Sequence, residues 1–143
     1  MIKKLVLTVL IVLATLPLAA CAPRAGTILS PEEGAAYAAE VDEIVENMII
    51  GDSECDYAMF TRDLSPESRE GIPDESAWQQ HCEANRGVYG AYLSKTLDHV
   101  EDRGRNRVVI YQVVFENVED ATLSVFFFID DPDYLIAAYE LDF

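Results

Sequence analysis

The residues of this chain best suited to acid–base chemistry are Asp98 and His99, which are adjacent in the sequence. A carboxylate or an imidazole can act as a general base, and hydroxyls such as those of Tyr89, Tyr92 and Tyr111 can donate hydrogen bonds to a reacting group. Asp98 and His99 fall in a predicted strand, where successive side chains point to opposite faces. We therefore expect only one of them to face a pocket, and the alternative is that both are solvent-facing residues of an edge strand.

A second set of charged side chains lies in two predicted turns, at residues 103–106 and 130–133, and on the residue that follows the first turn. The charged residues are Arg103, Arg105, Arg107, Asp130, Asp131 and Asp133. Successive hairpin turns alternate between the ends of a sheet, so these two turns are expected at one end, within about 10–15 Å of each other. We predict a charge-complementary patch there, which is either a group of loose surface ion pairs or a rim that binds a partner or an anion.

The acidic turn at residues 130–133 also has carboxylates that could attract calcium. It lacks the ligand spacing of an EF-hand, and an Asp-Pro hairpin turn is the alternative interpretation. Cys82 adjoins His81, but the sequence has no second Cys-His pair of the kind that binds zinc. The sequence therefore predicts no metal site and no cofactor.

The first twenty residues have the pattern of an export signal. Lys3 and Lys4 precede an apolar run over residues 5–20, which at about sixteen residues is shorter than the roughly 20 that a membrane span needs. The run ends in Leu18-Ala19-Ala20-Cys21, which resembles the lipobox of prokaryotic lipoproteins. This resemblance implies cleavage before Cys21 and a diacylglyceryl group on its thiol, with an uncleaved membrane anchor as the alternative.

If Cys21 is lipidated, Cys55 and Cys82 remain as a pair outside the cytoplasm. In an oxidising compartment such a pair is a candidate disulfide. Closing a loop over 27 positions would stabilise the fold by roughly 3–4 kcal/mol in the chain-entropy model. Two buried free thiols are the alternative.

The mature chain is strongly acidic. Removing residues 1–20 takes away Lys3 and Lys4 and leaves eight basic and 26 acidic residues, a net charge of −18. This charge excludes nucleic-acid binding, which needs basic patches, and it means that the lipid must hold the domain to a membrane. We expect residues 21–29 to form the lipidated cysteine and a tether, and residues 30–143 to form one domain.

Helices are predicted in the first half of the domain. Ser30-Pro31-Glu32-Glu33 is a capping box, which predicts a helix over residues 31–50 that stops at Gly51. Shorter helices are predicted over residues 54–63, from Ser65, and over residues 74–86, the first of them capped by one of the two residues Asp52 and Ser53.

The second half reads as four strands, at residues 93–102, 107–116, 121–129 and 134–142. Their connections of about four residues predict an antiparallel meander, and hence an α+β fold. Both faces of the sheet are apolar, as Val108 to Val114 show. One face can take the helices, and the other needs a cover, which a curved pocket or a second copy of the chain would supply.

Helices followed by a curved four-stranded meander resemble the cystatin-like fold and, within it, the nuclear transport factor 2-like superfamily. The residues that carry the resemblance, which spans residues 31–143, are Gly51-Asp52, Tyr57 to Phe60, Trp78, Tyr89-Gly90 and Phe115-Glu116. The resemblance implies a cone-shaped pocket between helices and sheet, and dimers formed through the sheet. The superfamily contains isomerases and binding domains, and the fold does not choose between them.

We therefore predict a lipid-anchored domain outside the cytoplasm that binds a small apolar ligand or a protein partner through the concave face of its sheet. One alternative is an isomerase or lyase that uses a pocket carboxylate or histidine. The other is a structural module whose sheet, closed by Phe126 and Phe128, forms a homodimer.

Overall fold

A computed structural model describes residues 26–143, so the predicted signal segment and Cys21 lie outside the described residues. The helices are α1 (Pro31–Glu54), α2 (Tyr57–Thr61), α3 (Pro66–Glu70) and α4 (Glu75–Tyr89). The strands are β1 (Thr27–Ile28), β2 (Tyr92–Asp102), β3 (Asn106–Phe115), β4 (Val118–Phe128) and β5 (Ile136–Asp142). Helices followed by an antiparallel sheet confirm the α+β prediction.

The sheet has five strands in the order β1-β2-β3-β4-β5, with every neighbouring pair antiparallel. The prediction of four strands missed β1, in which Thr27 pairs with Asp102. The amide of Leu29 also donates to the carbonyl of Val100 at 2.9 Å. Residues 27–29 therefore belong to the edge of the sheet, although they fall inside the segment that was predicted as a tether.

Helix α1 begins as predicted, with Ser30 and Glu33 forming a capping box. The predicted stop at Gly51 is wrong, because α1 continues to Glu54 and Cys55 caps it in the left-handed conformation. Gly51 serves a different purpose: a Cβ there would lie 2.7 Å from the Cα of Phe60. The missing side chain thus lets α2 approach α1 closely.

The shorter helices use caps of their own. The carboxylate of Asp56 accepts from the amide of Met59 at 2.9 Å and caps α2. The predicted caps Asp52 and Ser53 are wrong, since both residues belong to α1. Asp74 caps α4, which continues beyond the predicted end to Tyr89.

The core lies between the helices and the inner face of the sheet, the face that packs against α1. Val41, Val45 and Met48 of α1 are buried there with Val109 and Tyr111 of β3. We call the opposite side of the sheet the outer face.

The outer face is apolar at its centre, where Val108 is 0% and Ile110 is 8% exposed. Val108 lies between Glu101 and Phe126 in the sheet register, and the guanidinium carbon of Arg103 is 5.4 Å from the Phe126 ring centroid. Side chains of the same chain thus bury these residues, and their burial does not need a second copy.

Candidate functional site

Asp98 and His99 lie on the outer face and contact each other, with His99 Nδ1 2.7 Å from Asp98 Oδ2. The prediction that they point to opposite faces is wrong because β2 has a bulge at this position. Leu97 pairs with Tyr111 on the inner face and His99 pairs with Ile110 on the outer face, so Asp98 is an extra residue. The structure therefore separates Asp98 and His99 from Tyr111 by the thickness of the sheet.

The bulge residues continue into a row of charged side chains along the outer face. His99 Nε2 is 3.1 Å from Glu101 Oε1, and Arg103 Nε is 2.7 Å from Glu101 Oε2. Burial of the ring opposes protonation of His99, but hydrogen bonds to Glu101 and Asp98 outweigh it and raise its pKa. Hydrogen bonds from Arg103 and His99 lower the pKa of Glu101. This row is an ion-pair chain over an apolar sheet face.

The two charged turns lie at one end of the sheet, where the amide of Ile129 donates to the carbonyl of Arg105 at 3.2 Å. We call this end the hairpin end, formed by residues 103–105 and 128–135. Within residues 26–143, however, none of its arginines forms an ion pair with Asp130, Asp131 or Asp133.

The arginines have partners nearer in the sequence. Arg103 pairs with Glu101, and Arg107 Nη2 lies 4.0 Å from Asp102 Oδ2. The Arg107 guanidinium carbon also lies 4.6 Å from the Tyr37 ring centroid. On the other turn, the carboxylate of Asp131 accepts from the amides of Asp133 and Leu135, and so shapes its own loop. These arginines pair with carboxylates of their own hairpin and not with those of the second turn, because less chain has to be ordered to bring near neighbours together.

A groove of about 450 Å³ remains at the hairpin end. Exposed Arg105, Phe128 and Ile129 line it, together with α3 residues near Pro66. Within the described part of the chain, no group of three or more His, Cys, Asp or Glu side chains is arranged to hold a metal ion.

A cluster that the sequence analysis did not identify as a site lies on the other side of the sheet. Lys95 is the single lysine after residue 4, and its side chain is only 7% exposed. Its ammonium pairs with Asp42 at 3.0 Å and with Glu46, both on α1. The hydroxyl of Tyr92 also donates to Glu46, at 3.0 Å. We call these residues and Tyr111 the Lys95 cluster.

Tyr111 forms the floor of the cluster. Lys95 Nζ is 5.4 Å from its ring centroid, and the side chain is 2% exposed. Its hydroxyl is buried and has no hydrogen-bond partner among residues 26–143. Burial, followed by the negative charges of Asp42 and Glu46, raises its pKa. A buried hydroxyl without a partner lowers the free energy of unfolding by about 1–3 kcal/mol, so the presence of a tyrosine at this position needs a reason.

The Lys95 cluster opens into a second groove of about 450 Å³ between α1 and β2, which we call the α1–β2 groove. Its wall is formed by Ala35, Ala38 and Ala39, and Leu97 lies next to Tyr111. The groove exists because the side chains of α1 that line it are small. Lys95 and its two carboxylate partners lie at one end of the groove.

The strand register explains why the sequence analysis missed this site. Lys95 pairs with Val113 and lies on the inner face, which a second bulge after Tyr92 makes possible. The extra residue, Leu93, is 58% exposed. A lone lysine in an acidic chain indicates a possible site. The face of the sheet on which Lys95 lies, however, depends on a bulge that the periodicity of the sequence does not reveal.

Asp52 is a second residue whose surroundings the sequence did not predict. Burial raises the pKa of Asp52 to about 6. It lines an interior cavity of about 20 Å³ with Phe60, Phe115 and Tyr139. That volume admits about one water molecule, so this part of the inner face is filled, in contrast to the α1–β2 groove. Asp52 follows Val41, Val45 and Met48 at helical spacing. This spacing places Asp52 on the buried face of α1 and could have predicted its burial.

The disulfide candidates are joined in the structure. Cys55 and Cys82 are bonded, with their Cα atoms 5.7 Å apart, and they connect the end of α1 to α4. Cys21 lies outside the described residues.

No known protein family, no curated protein and no solved structure matches this chain. Among residues 26–143, no helix combines the length and the apolar character needed to cross a membrane.

Proposed function

We propose that this protein is a lipid-anchored domain outside the cytoplasm with a nuclear transport factor 2-like fold, and that it binds a small ligand in the α1–β2 groove. The lipobox-like sequence that ends at Cys21 supports the anchor. The bond between Cys55 and Cys82 supports an oxidising compartment, since such bonds are rare in the cytosol. The order of helices and antiparallel strands supports the fold.

The observation that carries the binding site is the unpaired hydroxyl of Tyr111 beside the groove. A phenylalanine would fill the same space without the cost of burying an unpaired donor. The hydroxyl lies below the surface of the groove, so it is useful if a bound molecule reaches down to it and accepts its hydrogen bond. The groove volume also falls within the range of small-molecule sites, which is about 300–1,000 Å³.

The lining of the groove defines the chemistry of the ligand. Ala35, Ala38 and Leu97 supply apolar contacts, and Tyr111 supplies one donor. The charges at the end of the groove are one ammonium and two carboxylates, so an anion would be repelled. The expected ligand is a mostly apolar molecule with one hydrogen-bond acceptor and no negative charge.

The binding site can be tested with cyclohexanone, a neutral apolar carbonyl compound, and with cyclohexanecarboxylate, an anion of similar size. We expect binding of the ketone with Kd on the order of millimolar and weaker binding of the anion, measured by protein-detected NMR titration. Tyr111→Phe should weaken ketone binding roughly fivefold and raise the free energy of unfolding by about 1 kcal/mol. A structural role for the hydroxyl would instead lower stability.

Two alanines of α1 form a matched pair for this experiment. Ala39 and Ala36 are both exposed, but only Ala39 lines the α1–β2 groove. Ala39→Phe should fill the groove and abolish binding, whereas Ala36→Phe should leave it unchanged. Equal binding by Ala39→Phe and the unmodified protein would remove the groove from the proposal.

The anchor can be tested separately in a bacterial host. The full chain should be found in the membrane fraction, and its N-terminal peptide should begin with a diacylated Cys21 in mass spectra. Cys21→Ser should release the domain from that fraction. A Cys21→Ser variant that remains bound to the membrane would contradict the lipid anchor and leave the groove proposal untouched.

A further inference from the structure

The chain enters the domain at the hairpin end of the sheet. Thr27 pairs with Asp102, the last residue of β2. A Cβ on Gly26 would lie 2.9 Å from Cγ of Arg103, so Gly26 is beside the first turn. The segment that links Cys21 to the domain therefore leaves from the hairpin end, and not from the middle of the sheet.

The length of that segment limits where a lipid on Cys21 can be. Cys21 precedes Gly26 by five positions, which span at most about 18 Å. Strands β2 and β4 each have 11 residues, so the sheet is about 36 Å long. The opposite end, where Asn117 contacts Val88, is twice as far from Gly26 as the segment can reach.

The hairpin end exposes side chains that suit a phospholipid surface. Arg105 is exposed and has no ion-pair partner within residues 26–143. Phe128 is 38% and Ile129 is 39% exposed, and both line the groove beside Arg105. An aromatic ring, an aliphatic chain and an arginine can occupy the boundary between headgroups and acyl chains, with the guanidinium bound to phosphate.

The arginines of the chain are concentrated near this end of the sheet. The hairpin end and the residues that flank it hold Arg103, Arg105 and Arg107, three of the eight basic residues of a mature chain with net charge −18. Three aspartates of the second turn, with Glu101 and Asp102 at the end of β2, outnumber these arginines, so the attraction of this end for a phosphate rests on the unpaired Arg105. Helix α1 has carboxylates farther along its exposed side, at Glu40, Asp42 and Glu43. A domain lying on its side would bring those carboxylates against the membrane.

We infer that the hairpin end is the membrane-facing surface of the protein, with Arg105 on a lipid phosphate and with Phe128 and Ile129 at the headgroup boundary. This inference rests on the proposed lipid at Cys21. It assigns an orientation: the domain stands on its hairpin end, and the opposite end points away from the membrane.

The test couples the mature chain, residues 21–143, through the Cys21 thiol to a maleimide lipid, with the Cys55–Cys82 disulfide left intact. The vesicles contain brominated phosphatidylcholine and phosphatidylglycerol, because bromine quenches tryptophan only at the membrane. Phe128→Trp is the reporter, and Val88→Trp, at an exposed position of the opposite end, is the matched control. The contribution of Trp78 is subtracted with the unsubstituted protein.

We expect quenching of the tryptophan at position 128 and none at position 88. Arg105→Gln should lower the ratio of membrane-contacting to detached domains about fivefold. Equal quenching at both positions, or none at either, would overturn the orientation. Because the maleimide supplies the lipid, the result does not depend on natural acylation, which the Cys21→Ser experiment tests by itself.

Discussion

The buried carboxyl of Asp52 allows a sharp test of how this domain is packed. Burial beside Phe60 and Tyr139 raises the pKa of Asp52 from 3.8 to about 6. Its place near the C-terminal end of α1, where a negative charge opposes the helix dipole, adds to the cost of ionisation. The difference between these two pKa values corresponds to about 3 kcal/mol, which is an upper bound because the carboxyl is only partly buried. Asp52→Asn should therefore stabilise the protein by up to about 3 kcal/mol at neutral pH.

The pH dependence fixes the sign of this effect. Below about pH 4 the carboxyl is protonated in both states and contributes nothing to their difference. Between about pH 4 and 6 the unfolded chain releases the proton while the folded protein keeps it, so the free energy of unfolding declines as pH rises. Above about pH 6 the folded state ionises too, and the loss is complete.

The measurement is urea denaturation of the unsubstituted protein and Asp52→Asn at several values between about pH 3.5 and 8. The difference between their free energies of unfolding should be near zero at the acidic limit and should grow through the window of about pH 4 to 6. Glu54→Gln is the control, since Glu54 is exposed at the same end of α1. A difference that is independent of pH, or one equal to that of Glu54→Gln, would refute the buried carboxyl.

Three further changes test the fold, each measured by denaturation at neutral pH. Replacing Cys55 and Cys82 together by Ser should cost about 3.5 kcal/mol, and full stability without the bond would contradict the loop-closure reasoning. Gly51→Ala should cost about 1–3 kcal/mol because its Cβ meets the backbone of α2, whereas Gly87→Ala, with open space around it, should add about 0.5–1 kcal/mol. The opposite ranking would exclude close approach of α2 as the reason for Gly51. Ser30→Ala should lower the free energy of unfolding by about 1 kcal/mol through loss of the capping box. If Glu33→Gln lowered stability and Ser30→Ala did not, the capping box would not be the source of that stability.

Local signals predicted much of the architecture. The capping box located the start of α1 at Ser30, because the hydrogen bonds that begin a helix lie within a few residues of one another. The short connections predicted the antiparallel order from β2 to β5 for the same reason. The predicted helix stop at Gly51 was wrong because this position is a glycine for a different reason: a side chain there would collide with Phe60 of the neighbouring helix.

The sequence by itself determined the α+β class, the cap of α1 and the alternation of the strands, since each depends on neighbours in the chain. The tertiary structure alone decided the sites. Bulges in β2 place Lys95 on the inner face and His99 on the outer face, whereas strict alternation would have placed both on the same face. The burial of Asp52 and the unpaired hydroxyl of Tyr111 likewise depend on residues distant in sequence. Strand register and side-chain burial depend on how whole helices and strands pack together, so local sequence patterns do not determine them.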